Sequence, residues 1–252
     1  AAEDRGDEGW QARSMEEGFR WDGGADLGGG ARGERSADRP PCRVVGCARG
    51  EDEVGNRAFG DRLGRLLGPG ALRMATALTV LTPMVPMLFM GEPWQATAPF
   101  LFFTDYQAPL DEAVREGRRR EFAGFSAFAD AASRARIPDP NDPETLQASY
   151  VPPPDDGCAS QQALAWLRDL LSRRRRCLQP GLDQARSPGA KVLGPAAVQA
   201  GCQLPAGQWG LSITAGPAAP APSLPDCDRP TDLPNGALLP PGGGLQLRWL
   251  PA

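Results

Sequence analysis

Apolar positions keep a helical rhythm through the middle of the chain, an alternating one near its end, and neither before residue 41. "DRLGRLL" predicts a short helix over 61–67 with Asp61 as its cap, and "ALRMATALTVLT" predicts a largely buried helix over 71–82 that Pro83 ends. "PMLFMG", Pro86 to Gly91, is a continuous apolar run between breakers, the pattern of a strand buried on both faces of a parallel sheet. "CRVVGCA", Cys42 to Ala48, is a shorter strand candidate, so the order is strand, helix, strand. A helix over 110–132 follows, with Val114, Phe122, Phe125 and Phe128 facing the core and "REGRRRE" on the wet side. "IPDPNDPET", Ile137 to Thr145, is a loop whose Asp and Asn side chains pin turns. A last helix over 161–176 turns Leu164, Leu167 and Leu171 inward. The period then becomes two, in "WGLSITA" and "LQLRWL", which predicts a small antiparallel sheet.

The resulting fold class is α/β. Residues 1–41 are expected to be loop-rich and disordered, 42–184 to form the α/β region, and 185–252 to form an antiparallel β-domain. The 31 Gly and 27 Pro gather toward the two ends, which places the well-patterned part in the middle. The apolar run from Ala71 to Met90 approaches the length of a membrane span, but Pro83 and Pro86 break it and Arg73 sits inside it. No membrane partner is expected. The N-terminal "AAEDRGDEGWQARS" lacks the apolar core of a secretory signal, and a cytoplasmic location is expected.

A net charge of −4 gives no electrostatic reason to expect nucleic acid. The basic run Arg173 to Arg176 closes a predicted helix, where the dipole favours cations, and reads as a solvated end rather than an anion site. The chain has no histidine, which removes His-based nucleophilic triads and His-based metal sites together. Six cysteines without a C-x-x-C pair suggest reduced thiols, and no metal or other cofactor is expected. Acid–base work therefore falls to carboxylates.

The acidic trio Glu51, Asp52 and Glu53 precedes a helix start. Two readings stand open: carboxylates favoured by a helix dipole and otherwise idle, or one carboxylate placed at the end of a strand for chemistry. The blocks "DEVGNRAFGDRLGRLLG", "ALTVLTPMVPMLFMGEPW", "PFLFFTD", "VREGRRREF" and "IPDPNDPET" resemble, in the same order, malto-oligosyltrehalose trehalohydrolase of the α-amylase-type glycoside hydrolase superfamily. The resemblance is dense over residues 52–149.

The resemblance implies that the chain is the C-terminal part of a (β/α)8 barrel, its strands near 42–48 and 87–90 being the seventh and eighth, followed by the β-domain of such enzymes. The implied reaction is retaining hydrolysis of the α-1,4 bond beside the trehalose end of a malto-oligosyltrehalose, and the implied partner is that saccharide or a maltodextrin. The family's Asn-His-Asp-Gln-Val-Gly-Asn-Arg motif carries over to Asp52, its transition-state-supporting carboxylate, and to Arg57, while Gly50, Glu51 and Glu53 depart from it. Glu92 and Trp94 match the family's Gly-Glu-Glu-Trp block, with Pro93 as a departure, and Asp105 matches a further position beside Tyr106, where the family has His. These residues are candidate sugar contacts. The family's nucleophile and acid/base lie on earlier strands and have no counterpart in residues 1–41. The chain alone is therefore expected to be inactive. Two further possibilities are partnership with a complementary N-terminal barrel fragment, and a non-catalytic carbohydrate-binding or structural remnant.

Overall fold

The computed structural model describes residues 22–25, 31–33, 39–186, 190–194, 197–214 and 244–251. The expectation of disorder for 1–41 lies largely outside these residues. Along the chain come β1 (Asp22–Ala25), β2 (Ala31–Gly33), β3 (Val45–Gly46), α1 (Glu51–Gly55), α2 (Leu63–Leu66), α3 (Pro69–Leu81) and β4 (Val85–Pro86). Then follow α4 (Leu110–Phe122), α5 (Ala131–Ala135), α6 (Pro143–Ala148), α7 (Cys158–Arg173), β5 (Ala190–Gly194), β6 (Ala197–Leu204), β7 (Gly207–Thr214) and β8 (Gly244–Pro251). These elements divide between a unit of residues 1–48, 68–87 and 166–252, and a unit of residues 49–67 and 88–165.

In the first unit β3 and β4 pair in parallel, Val45 opposite Val85 and Gly46 opposite Pro86, with α3 as the crossover. The amides of Val85 and Met87 donate to the carbonyls of Val44 (2.8 Å) and Gly46 (2.9 Å). Pro69 opens α3, where its missing N–H costs nothing, and the helix stops ahead of Pro83. The expected strand over 86–91 is corrected to Val85–Pro86, and the earlier one to Val45–Gly46 behind a 3-10 turn at Pro41–Arg43. Burial on both faces requires neighbouring strands and covering layers, and this sheet has two strands among the described residues. Val45 is accordingly 58% exposed, and Val85 and Met87 are exposed with it.

The inner face of α3 buries Leu72, Ala77, Val80 and Leu81. Its last carbonyls are met by Arg174, which donates to those of Val80 (2.8 Å), Thr82 and Met84 (2.6 Å). The reading of Arg173 to Arg176 as a solvated helix end is thus corrected at Arg174, while Arg175 and Arg176 are exposed. Strands β5 to β8 form one antiparallel sheet in chain order, with Cys202 opposite Trp209 and Trp209 opposite Trp249. Ala200, Cys202 and Leu204 of β6 and Trp209 and Leu211 of β7 alternate inward, and the Trp209 indole donates to the Leu81 carbonyl at 3.0 Å.

Cys177 is disulfide-bonded, which corrects the expectation of reduced thiols, whereas Cys42, Cys47, Cys158 and Cys202 form no disulfide. Burial pushes the Cys202 thiol up to about 11, and Cys158 is exposed. A thiol reagent at about pH 8 is expected to label Cys158 quickly and Cys202 only as fast as the chain opens. Peptide mass spectrometry of the time course checks this, and equal rates at the two cysteines in the native chain would contradict it.

In the second unit a core forms from Ala58, Phe122 and Ile137, with Phe59 and Phe128 packed on it. The expected helix over 110–132 ends at Phe122; the chain then passes Gly124 and makes a 3-10 turn at Ser126–Phe128. It restarts as α5 behind Asp130, whose carboxylate accepts from the Ser133 amide at 2.8 Å. Phe122 and Phe128 still reach the core, but Phe125 is 48% exposed. Arg118, expected on the wet side, is buried. The short helix begins at Leu63, and Asp61, expected as its cap, instead pairs with Arg65 at 3.1 Å.

Helix α7 belongs to this unit through Ala165 and to the first from Trp166. Its buried stripe is Ala163, Leu167 and Leu170, one register step from the expected Leu164, Leu167 and Leu171, and Leu171 is exposed. Among the described residues no helix is long and apolar enough to cross a membrane.

Candidate functional site

The acidic trio forms the first turn of α1. Anions are favoured there by the helix dipole, and Glu53 does more: its Oε2 accepts from the Gly50 amide at 2.6 Å and closes the helix start. Glu51 and Asp52 are exposed. Asp52 therefore sits on a helical turn rather than directly on a strand end, and its carbonyl accepts from the Asn56 amide at 3.1 Å. Beyond it Val54 and Gly55 are buried, and Arg57 is exposed.

Arg118 holds this segment. Its Nη2 donates to the carbonyls of Gly55 (2.7 Å) and Arg57 (3.1 Å), and its Nη1 pairs with Glu121 at 3.0 Å. The guanidinium also lies 4.9 Å from the ring centres of both Phe102 and Phe122. Composition had hidden this residue inside a charged run. The spacing Val114, Arg118, Phe122 was the available signal, since positions four apart share one face of a helix.

Glu92 and Trp94 lie on one 3-10 turn, entered through Gly91 at φ +81°. A Cβ at Gly91 would stand 2.8 Å from both Ala96 Cβ and Val151 Cγ1, so the turn needs glycine for conformation and for space. Glu92 is only 5% exposed: its Oε2 accepts from the Phe89 amide at 2.9 Å, and its Oε1 lies 3.9 Å from Nη2 of buried Arg49. Arg62, also buried, donates to the carbonyls of Met90 (2.7 Å) and Ala98 and stacks over Phe89. Two guanidiniums and one carboxylate thus fix the loop that carries Trp94, which is half-buried and whose carbonyl accepts from Ser160 at 3.4 Å. No local sequence pattern marks Arg49 or Arg62.

Burial raises the Glu92 pKa, opposed by the Phe89 amide and by Arg49 and Arg62. A raised folded value means that the folded state binds the proton more tightly, so this group's contribution falls as pH rises from the ordinary carboxylate range through the folded value. The stability difference between the native chain and Glu92→Gln is expected to show that downward slope in urea midpoints measured across pH. A slope of the opposite sign would contradict the burial-dominated environment.

Asp105 is exposed, between Thr104 and Tyr106, and its carboxylate makes no hydrogen bond among the described residues. No hydrogen bond or ion pair among those residues joins Asp52, Arg57, Glu92, Trp94 and Asp105 to one another, although Glu92 and Trp94 share a turn. Among the described residues no group of His, Cys, Asp and Glu is placed to hold a metal ion.

No family model matches the chain. Curated relatives do: a malto-oligosyltrehalose trehalohydrolase of Arthrobacter ramosus is 39% identical over 63% of this chain, and one of Rhizobium sp. (strain M-11) is 41% identical over 54% of it. The chain is a relative of the malto-oligosyltrehalose trehalohydrolases. It spans 28% and 22% of the length of these two trehalohydrolases. A trehalohydrolase of Saccharolobus solfataricus is 42% identical over 35% of the chain. Among solved structures, one assigned as an alpha amylase from Salmonella typhimurium aligns with 96% of this chain and 41% of its own, at a TM-score of 0.75 and 31% identity. The fold is accordingly mixed α/β with a small antiparallel sheet, as in α-amylase barrel enzymes, which agrees with the trehalohydrolase resemblance.

Proposed function

We propose that this chain is the C-terminal part of a retaining glycoside hydrolase that releases trehalose from malto-oligosyltrehalose. The observation that carries the reading is the ordered series of motif blocks from Asp52 to Thr145, together with identity near 40% to named trehalohydrolases. On this reading β3 and β4, joined by α3, are the seventh and eighth barrel strands, and β5 to β8 are the β-domain that follows. Asp52 is the carboxylate that supports the transition state; Arg57, Trp94 and Asp105 are the saccharide contacts. Glu92, engaged by Phe89 and Arg49, serves by holding the Trp94 turn.

Retaining hydrolysis needs a nucleophile and an acid/base about 5 Å apart. The resemblance puts both on earlier strands that have no counterpart in residues 1–41, so residues 1–252 by themselves do not supply them. The purified chain is expected to release no trehalose from malto-oligosyltrehalose. Adding a separately produced N-terminal portion of a related trehalohydrolase is expected to restore release, and to lose it again when the chain carries Asp52→Asn. Turnover by the isolated chain that disappears in that variant would overturn the assignment of the missing carboxylates.

A second reading, a saccharide-binding remnant without catalysis, is favoured by the exposed Asp105 and Tyr106 and the half-buried Trp94, since carboxylates accept sugar hydroxyls and aromatic rings cover apolar sugar faces. Calorimetry with maltotetraose separates the two: saturable binding with no restoration of hydrolysis by any N-terminal portion supports the remnant.

A further inference from the structure

The motif Ile137 to Thr145 is left without a task by the proposed function, yet its side chains form a connected polar network. Asn141 Oδ1 accepts from the Tyr106 amide at 2.8 Å and from the Thr104 hydroxyl at 3.1 Å, the two residues flanking Asp105. Its Nδ2 donates to the Asp111 carbonyl at 3.3 Å, at the start of α4, and its own amide donates to Asp139 Oδ1 at 3.1 Å. The Thr104 amide donates to the Pro140 carbonyl at 2.8 Å, and Pro140 is fully buried. Asp139 is fixed in turn by Arg115 at 3.1 Å, and its carbonyl accepts from the Thr145 hydroxyl at 2.7 Å.

An amide side chain accepts through its oxygen and donates through its nitrogen from a single uncharged planar head, which is what this position asks of it. Alanine would release the Tyr106 amide and the Thr104 hydroxyl, leaving the Thr104 flank held only by its amide on the Pro140 carbonyl. Aspartate would keep the acceptor and lose the donor to the Asp111 carbonyl. The consequence is an exposed carboxylate, free of hydrogen bonds among the described residues, on a backbone segment tied down on both sides. A loop carboxylate ordinarily loses conformational freedom when it takes a ligand hydroxyl; here that ordering has already been done by folding.

We infer that Asn141 is a positioning residue that holds Asp105 as a preformed acceptor for saccharide hydroxyls, and that the Ile137–Thr145 motif exists to present it. This rests on the reading that the chain binds a maltodextrin-type saccharide. Asn141 touches no ligand in this role; it acts through Asp105.

Calorimetry of the purified chain with maltotetraose tests it, beside hydrogen exchange of the Tyr106 amide. Asp105→Asn is expected to weaken binding about tenfold, the loss of one charge-assisted hydrogen bond, and Asn141→Ala by a similar factor with faster exchange at Tyr106. The double variant is expected to lose no more than either single one, because both remove the same contact. Asn141→Asp, which keeps the acceptor, is expected to recover part of the affinity, and it serves equally if Asn141→Ala does not fold. Losses that multiply in the double variant would overturn the inference, as would unchanged affinity in Asn141→Ala despite faster exchange at Tyr106. If the native chain binds no maltotetraose, the saccharide reading fails and takes this one with it. That result is distinct from a failure of positioning alone, in which Asp105→Asn still weakens binding and Asn141→Ala does not.

Discussion

Arg118→Ala is expected to destabilise the chain by about 4 kcal/mol, because it removes a buried cation and strands the two carbonyls it serves. The carbonyls of Gly55 and Arg57 would be left without the donor at 2.7 and 3.1 Å, and the faces of Phe102 and Phe122 without the guanidinium between them. Urea denaturation followed by tryptophan fluorescence measures the loss. Arg118→Lys is expected to recover only part of it, since a point ammonium cannot span two carbonyls and cover two rings at once. The turn carrying Asp52 should loosen as well, read as faster exchange of the Asn56 amide, which donates to the Asp52 carbonyl. A loss below about 1 kcal/mol in the alanine variant would show that water replaces the guanidinium at little cost.

Gly60→Ala is expected to cost about 3 kcal/mol or more, the sum of a left-handed backbone on a residue with a side chain and a forced backbone shift. Gly60 has φ +58°, and its new Cβ would meet the Phe100 carbonyl group, where no flexible side chain can give way. The Gly60 carbonyl also accepts from the Phe100 amide at 3.1 Å, so displacing either strand of this contact breaks a hydrogen bond. Thermal unfolding of the variant beside the native chain checks the size, and a melting temperature within error of the native one would contradict it.

How far the sequence could be read depended on whether a signal was periodic or pairwise. Helix α3 stood out because Pro69 and Pro83 bracket a mostly apolar stretch, and β7 and β8 because Trp209, Leu211 and Ile213, like Leu245, Leu247 and Trp249, alternate in sequence. β5 and β6 were missed: Ala200 and Cys202 face inward on the same alternation, but small residues among Gln and Gly carry little apolar contrast. Phe125 and Phe128 continue the helical spacing beyond Phe122, where the helix expected over 110–132 ends, and Gly124 and Ser126 are the contrary signal.

Asp52 was legible through its motif neighbours Val54 to Arg57, not through its charge, which alone suits the first turn of any helix. What could not be read were the long-range partners: Arg49 with Glu92, Arg62 with Met90, Arg118 with Gly55 and Asn141 with Tyr106. Each joins residues far apart in the chain, and no single sequence states which distant carbonyl an arginine will find. Asp52, Arg57 and Asp105 are exposed, whereas Arg49, Arg62 and Arg118, which fix the surrounding backbone, are buried. Sequence motifs point to the first group, and coordinates were needed for the second.

The two-stranded parallel sheet carries a directional preference in its one proline. The amides of Val85 and Met87 point toward β3, so the backbone nitrogen of Pro86 faces the opposite side of β4, where it has no hydrogen to give. A strand approaching from that side would find its ladder one rung short, while a strand approaching the far side of β3 meets no such gap. Growth of this sheet, whether by a companion polypeptide or by unwanted stacking of identical chains, is therefore biased to begin beside Val45.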